Sequence, residues 1–198
     1  MKQIVIMGSG PSLTRFKWHG SHGKMIDTFG LKNQYKAYAH WGWYPTYYAC
    51  LDRVSYSQNR EQILKMVTDP GILTKKFFLY EPVNYDRVVP IRWTRPRYDF
   101  SLDLQNLGDG ANTAVNAAQI ACCLGYNKIY LIGIDLSWPA YFDPNYHVPG
   151  EEHQHPGVEI NHVEAWHKFD KWTKKKGIHV ALLAENKQLP FRMEKLKW

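Results

Sequence analysis

The stretch that decides the fold is Leu124-Gly125-Tyr126-Asn127-Lys128-Ile129-Tyr130-Leu131-Ile132-Gly133-Ile134-Asp135. A helical pattern ends before Gly125, which suits the left-handed position that closes a helix. Lys128–Ile134 is the strongest strand pattern in the chain, an apolar run rich in Ile, Leu and Tyr. An acid, Asp135, stands at that strand's carboxyl end. Helix end, tight turn, buried strand and polar terminus in that order predict an α/β unit with parallel strands.

The same alternation extends in both directions. Further apolar runs predict strands at Ile4–Met7, Tyr47–Leu51, Phe77–Leu79 and Val180–Ala184. Between them lie three helical patterns. Gln58–Val67 carries Ile63, Leu64 and Val67 on one face, with Ser57 as its N-cap. Ala111–Leu124 has small residues (Ala114, Ala117, Ala118, Ala121) suited to close packing on a sheet. His162–Lys176 stops before Gly177, with Lys174, Lys175 and Lys176 in its last turn, where cations complement the helix dipole. The expected fold is α/β: a single doubly wound, mostly parallel, Rossmann-like sheet in one domain over residues 1–198. Such sheets bind ligands at the carboxyl ends of their strands, so those ends hold the candidate sites.

The first strand runs into Gly8-Ser9-Gly10-Pro11-Ser12-Leu13. Two glycines allow a sharp turn and close backbone approach, with amide N–H groups facing a phosphate. The turn lacks the third glycine of the dinucleotide fingerprint and the Gly-Lys-Ser/Thr end of a Walker loop. Asp135 could bind ribose hydroxyls, a metal ion or an amide of a neighbouring turn. Asp52 ends its own strand in the same way. Together the two carboxylates could hold Mg²⁺ or a ribose, or each could cap a following turn. Residues 137–160 are rich in Pro, His and aromatics and read as a lid, since long loops in compact domains are commonly functional. His153, His155 and His162 lack metal-ligand spacing, and a general-base role suits a histidine there better.

The whole composition bounds these readings. The 198 residues carry 25 Lys+Arg against 18 Asp+Glu, a net charge of +7, and 44% are hydrophobic, which excludes intrinsic disorder. No apolar run approaches the roughly 18 residues of a membrane-spanning helix. The apolar run before Gly8 is too short for the core of a signal peptide. Three cysteines, two of them adjacent (Cys122, Cys123), make no disulfide framework, and a cytoplasmic protein is expected.

The turn Gly8-x-Gly10-Pro11-Ser12-Leu13, the small-residue helix and Leu-Gly-Tyr-x-x-Ile-Tyr-Leu-x-Gly-Ile-Asp, in this order, resemble the family-42 sialyltransferases. They also resemble relatives of that family, the archaeal-type 6-hydroxymethylpterin pyrophosphokinases and motility-associated glycosyltransferases. The likeness runs from residue 2 to about residue 186. It implies that Gly8, Ser9, Gly10, Pro11 and Ser12 form the nucleotide turn, with Ser9 where the family has Asn. It implies nucleotide contacts from Asn33, Asp52, Asn112, Thr113 and Asp135, with Asp52 standing where the sialyltransferases carry Asn. Tyr141 or Tyr146 would assist the leaving phosphate, and His155, with His153 next, would be the base.

The implied activity is glycosyl transfer from a nucleotide-sugar donor of CMP or UDP type to a glycan or small-molecule acceptor, with no tightly bound cofactor. The sialyltransferases assemble into tetramers, so a homo-oligomer is in keeping with the resemblance. A second implied reading is a Mg²⁺-dependent pyrophosphokinase with the metal on Asp52 and Asp135. A third comes from the residues themselves: Ile91-Arg92-Trp93-Thr94-Arg95-Pro96-Arg97-Tyr98 interleaves Arg with aromatics, as a nucleic-acid-tracking surface does. Its alternative is a surface loop whose Trp packs inward.

Overall fold

A computed structural model describes residues 1–16, 26–136, 141–142 and 158–196. In chain order its strands are β1 (Gln3–Met7), β2 (Asp27–Leu31), β3 (Tyr47–Cys50), β4 (Lys76–Leu79), β5 (Val88–Pro90), β6 (Trp93–Arg95), β7 (Leu107–Gly108), β8 (Lys128–Ile132) and β9 (His179–Leu182). The helices are α1 (Tyr35–Trp41), α2 (Arg53–Thr68), α3 (Thr113–Cys123) and α4 (Val158–Lys175). Seven strands form one sheet in the order β5-β4-β3-β2-β1-β8-β9, and every ladder in it is parallel. From β1 the chain steps outward to β5, then returns to the other side of β1 with β8 and β9. This is the doubly wound α/β fold expected from the sequence.

Alternation along the strands sorts the core into two faces. Ile4, Ile6, Phe29, Leu31, Ile129 and Leu131 face the layer containing α3 and α4. There Ala117, Ala118 and Ala121 are fully buried, so α3 lies close on the sheet as its small residues predict. Trp166 and Phe169 of α4 are also fully buried and meet edge to face at 5.9 Å. On the opposite face Tyr48, Cys50, Phe77 and Leu79 pack against α2 residues Tyr56, Ile63, Met66 and Val67.

Several boundaries differ from the sequence reading. α2 begins at Arg53, and its N-cap is Asp52, whose Oδ1 accepts from the Ser55 amide at 2.7 Å; Ser57 is an interior residue. An aspartate offers the first-turn amides a charged acceptor, and that sets the start of the helix. β8 stops at Ile132 because Gly133 turns the chain in the left-handed region (φ 68°). β2 was not visible as an apolar run, since Asp27, Thr28 and Gly30 interrupt it. The glycine there is dictated by packing, because a Cβ at Gly30 would overlap the Tyr38 hydroxyl.

Candidate functional site

The sheet reverses its winding between β1 and β8, and ligands of open α/β sheets bind outside the carboxyl ends of strands at such a switch point. The two diagnostic motifs sit there, Gly8–Ser12 after β1 and Gly133–Asp135 after β8. They are welded to each other. Gly8 N donates to Ile132 O at 2.8 Å, and Gly10 N to Gly133 O at 2.8 Å. Ser12 N and Ser12 Oγ both donate to Asp135 Oδ2, at 3.1 and 2.8 Å, while Gly133 N donates to Ser12 Oγ at 3.0 Å. Leu13 N turns back to Gly10 O.

This corrects the expected role of the turn. The amides of Gly8, Gly10, Ser12 and Leu13 are consumed within the protein rather than presented to a phosphate. The glycines are needed because two loops touch: a Cβ at Gly10 would overlap the Asp135 carboxylate, and one at Gly8 would overlap the Gly133 carbonyl. Asp135 keeps Oδ1 without a hydrogen-bond partner among the described residues, and the residue is half-exposed. Its backbone is held in turn by Asn186, whose Nδ2 donates to Ile134 O and Asp135 O at 2.8 and 3.0 Å.

The end of β2 supplies the next group of residues. Asn33 is buried in a short 3-10 turn spanning Lys32–Gln34. Its neighbour Gln34, absent from the sequence reading, is fully buried. Gln34 Nε2 donates to Met7 O and Gly8 O at 2.6 and 2.7 Å, and Oε1 accepts from Leu31 N at 2.9 Å. The side chain thus fastens the start of the glycine turn to β2. Only its place after Asn33 could have drawn attention to it, because buried amides carry no periodic signal.

Asp52 and Asp135 do not stand at neighbouring strand ends. β3 and β8 are three places apart in the sheet, roughly 14 Å at the usual strand spacing of about 4.8 Å. One carboxylate caps α2 and the other braces the glycine turn. Among the described residues no group of three or more His, Cys, Asp or Glu is arranged to hold a metal.

The crossover into β8 puts the N-terminus of α3 at this same edge. Asn112 caps it, with Oδ1 accepting from Val115 N at 2.9 Å, and Asp109 accepts from Ala111 N and Asn116 Nδ2. The amides of Thr113 and Ala114 stay unpaired among the described residues, as the first N–H groups of a helix do. Three non-glycine residues along the edge have left-handed backbone: Lys32 (φ 46°), Ala111 (φ 63°) and Leu136 (φ 53°). Such conformations cost about 1–3 kcal/mol each and cluster at functional sites.

Of the residues assigned to catalysis, His153, His155 and Tyr146 lie outside the described residues. Tyr141 is described and half-buried, and burial raises its hydroxyl pKa well above the usual tyrosine value. It is drawn to the glycine turn because Phe142 N donates to Ser9 O at 3.0 Å. His162, in the second turn of α4, is half-buried at this edge. Burial and then the Lys32 ammonium hold its imidazole below the ordinary range, so it stays neutral at neutral pH.

The Arg92–Arg97 loop is largely self-satisfied. Arg95 pairs with Asp99 at 2.6 Å and Arg97 with Asp109 at 3.6 Å. Trp93 packs onto the core layer shared by α3 and α4. Two of the three arginines proposed to track a nucleic-acid backbone therefore already hold carboxylates.

No protein-family model matches the chain, and no curated protein matches it in sequence. Its fold is similar to that of solved sialyltransferases. The sialyltransferase CST-II in complex with a trisaccharide acceptor and CMP matches with a TM-score of 0.58 and 14% identity, covering 96% of this chain and 86% of that one. CstII from Campylobacter jejuni with the substrate analogue CMP-3FNeuAc gives 0.56 and 15%, covering 92% and 81%. The monofunctional alpha-2,3-sialyltransferase Cst-I from Campylobacter jejuni gives 0.58 and 16%, covering 100% and 83%. At such identities the likeness is one of fold. Among the described residues no helix is long and apolar enough to cross a membrane.

Proposed function

We propose that the chain is a transferase, within a single domain, that moves a sugar from a nucleotide-sugar donor to an acceptor hydroxyl. The observation that carries this reading is the convergence at the switch point of the β1 turn, the β8 acid, the β2 end and the N-terminus of α3. The fold likeness to enzymes solved with CMP or a CMP-sugar analogue agrees with it.

In this reading the donor's nucleoside lies along the carboxyl edge, with the free Oδ1 of Asp135 accepting from a ribose hydroxyl. The glycine turn acts as a rigid wall for the nucleotide, since the Gly8, Gly10 and Ser12 amides are spent on the end of β8 and the residues that follow it. The unpaired Thr113 and Ala114 amides and the lid tyrosine Tyr141 face the departing phosphate, where fixed donors stabilise developing negative charge. A neutral imidazole takes the proton of the acceptor hydroxyl as the new glycosidic bond forms and the bond to phosphate breaks. General-base assistance of this kind contributes roughly 10²–10⁴ in rate. The family resemblance assigns the base to His155; among the described residues His162 has the required neutral state and edge position.

The test is thermal stabilisation of the full chain by CMP, CDP, UDP and ATP, each with and without Mg²⁺. Stabilisation by CMP or UDP without metal is expected. Stabilisation only by ATP with Mg²⁺ would replace this reading by phosphoryl transfer. His155→Ala and His162→Ala should then be compared: loss of turnover with nucleotide affinity retained identifies the base.

A further inference from the structure

We infer that Lys32 is a ligand for the phosphate of the donor and makes the site selective for anionic nucleotides. The inference deepens the nucleotide-sugar reading above and rests on it.

The backbone at Lys32 is the first argument. It lies in the left-handed region at φ 46°, which costs an ordinary residue about 1–2 kcal/mol and glycine nothing. The conformation is imposed from outside. Tyr48 Oη donates to Lys32 O at 2.6 Å, and Gln34 ties the next turn of chain to Leu31, Met7 and Gly8. Glycine or asparagine would satisfy that backbone more easily, so the fold alone gives no reason for lysine at this position.

The side chain is the second argument. Lys32 is half-buried, yet among the described residues no carboxylate pairs with it. Among the described residues the other half-buried cations are satisfied: Arg95 with Asp99, Lys128 with Glu194, and Arg87 on the carbonyls of Val67 and Ile72. Asp52, which follows the adjacent strand β3, has committed Oδ1 to the Ser55 amide. The neighbour across the edge is His162, a second basic group. A partly desolvated ammonium beside an imidazole is completed by an anion, and the switch point is where a nucleotide phosphate would lie.

Occupancy has a consequence for His162. Among the described residues Lys32 is the charged group acting on that imidazole. A phosphate on Lys32 offsets its field, so donor binding strengthens His162 as a proton acceptor. Proton uptake by His162 in turn favours phosphate binding, because linkage is reciprocal.

The experiment compares wild type with Lys32→Asn, which removes the charge but tolerates the left-handed backbone, and with Lys32→Arg. Calorimetric titration with CMP and with cytidine reads the phosphate separately from the nucleoside. Lys32→Asn is expected to weaken CMP at least tenfold, leave cytidine unchanged and keep the melting temperature, with Lys32→Arg near wild type. Equal CMP affinity in wild type and Lys32→Asn overturns the inference while leaving the nucleotide reading intact. If wild type binds neither CMP nor UDP, the nucleotide reading fails on its own. The probe is then inorganic pyrophosphate, followed by the NMR shift of the His162 ring. A shift that Lys32→Asn abolishes keeps Lys32 as an anion ligand, and no shift overturns it.

Discussion

Ser12 and Asp135, 123 positions apart, share one carboxylate oxygen twice over: Ser12 Oγ and Ser12 N both donate to Asp135 Oδ2. The hydroxyl also accepts from the Gly133 amide at 3.0 Å. This side chain therefore joins the two halves of the doubly wound sheet at the switch point. Ser12→Ala would leave the buried Gly133 N–H without a partner and Asp135 Oδ2 with one donor. An unfolding free energy lower by about 1–3 kcal/mol is expected, read from urea denaturation. A change within a few tenths would show that the brace contributes nothing.

Gly10→Ala separates the shape of the turn from glycine's conformational freedom. A methyl group there overlaps the Asp135 carboxylate, so the two loops must part at a cost of about 1–3 kcal/mol. Gly42→Ala has open space around it and only a left-handed backbone to bear, at about 1–2 kcal/mol. The stability losses are similar, but CMP affinity should fall only for Gly10→Ala, because Gly42 closes α1 and makes no contact with the glycine turn or Asp135 through an added methyl. Equal affinities in the two variants would remove the turn from the binding site.

Arg87 is expected to matter for stability and not for binding. Its guanidinium donates to the carbonyls of Val67 (2.5 Å), Ile72 (2.5 Å), Asp69 (2.9 Å) and Met66 (3.3 Å), where α2 ends. Arg87→Ala should cost about 1.5–3 kcal/mol, and Arg87→Lys should restore little, since an ammonium cannot span the same set of oxygens. Denaturation alongside nucleotide titration checks both halves.

The pH dependence of stability should carry the signature of His162. Its folded-state pKa is lowered by burial and by Lys32, while an unfolded imidazole titrates near about 6.5. Between those values the unfolded chain holds a proton that the fold refuses, so stability falls as pH drops through that window. His162→Gln should flatten this slope, measured by urea unfolding at several pH values from neutrality downward. An unchanged slope would mean that the imidazole is not held neutral.

Much of the fold was legible because parallel strands buried on both faces leave continuous apolar runs. Ile4–Met7 and Lys128–Ile134 could be read in this way, the second shortened by two residues in the structure, and Gly125 and Gly177 marked their helix ends through left-handed backbone (φ 82° and 66°). β2 escaped because Asp27, Thr28 and Gly30 break its apolar run, each answering to a contact from elsewhere in the chain: Asp27 with Tyr126, Thr28 with Thr46 and Gly30 with Tyr38. The start of α2 was misplaced because Ser57 and Asp52 are both good caps, and only the backbone path decides between them.

The sequence by itself determined the alternation of elements, and with it a doubly wound parallel sheet carrying polar residues at its strand ends. The tertiary structure alone decided how those ends are used. Strand order separated Asp52 from Asp135, the pairing of β1 with β8 spent the amides of the glycine turn, and α4 brought His162 to Lys32. The physical reason is that periodicity records burial, which is a property of one segment against water. Hydrogen bonds and fields between strand ends depend on which segments become neighbours, and strand order is set by the packing of the whole sheet.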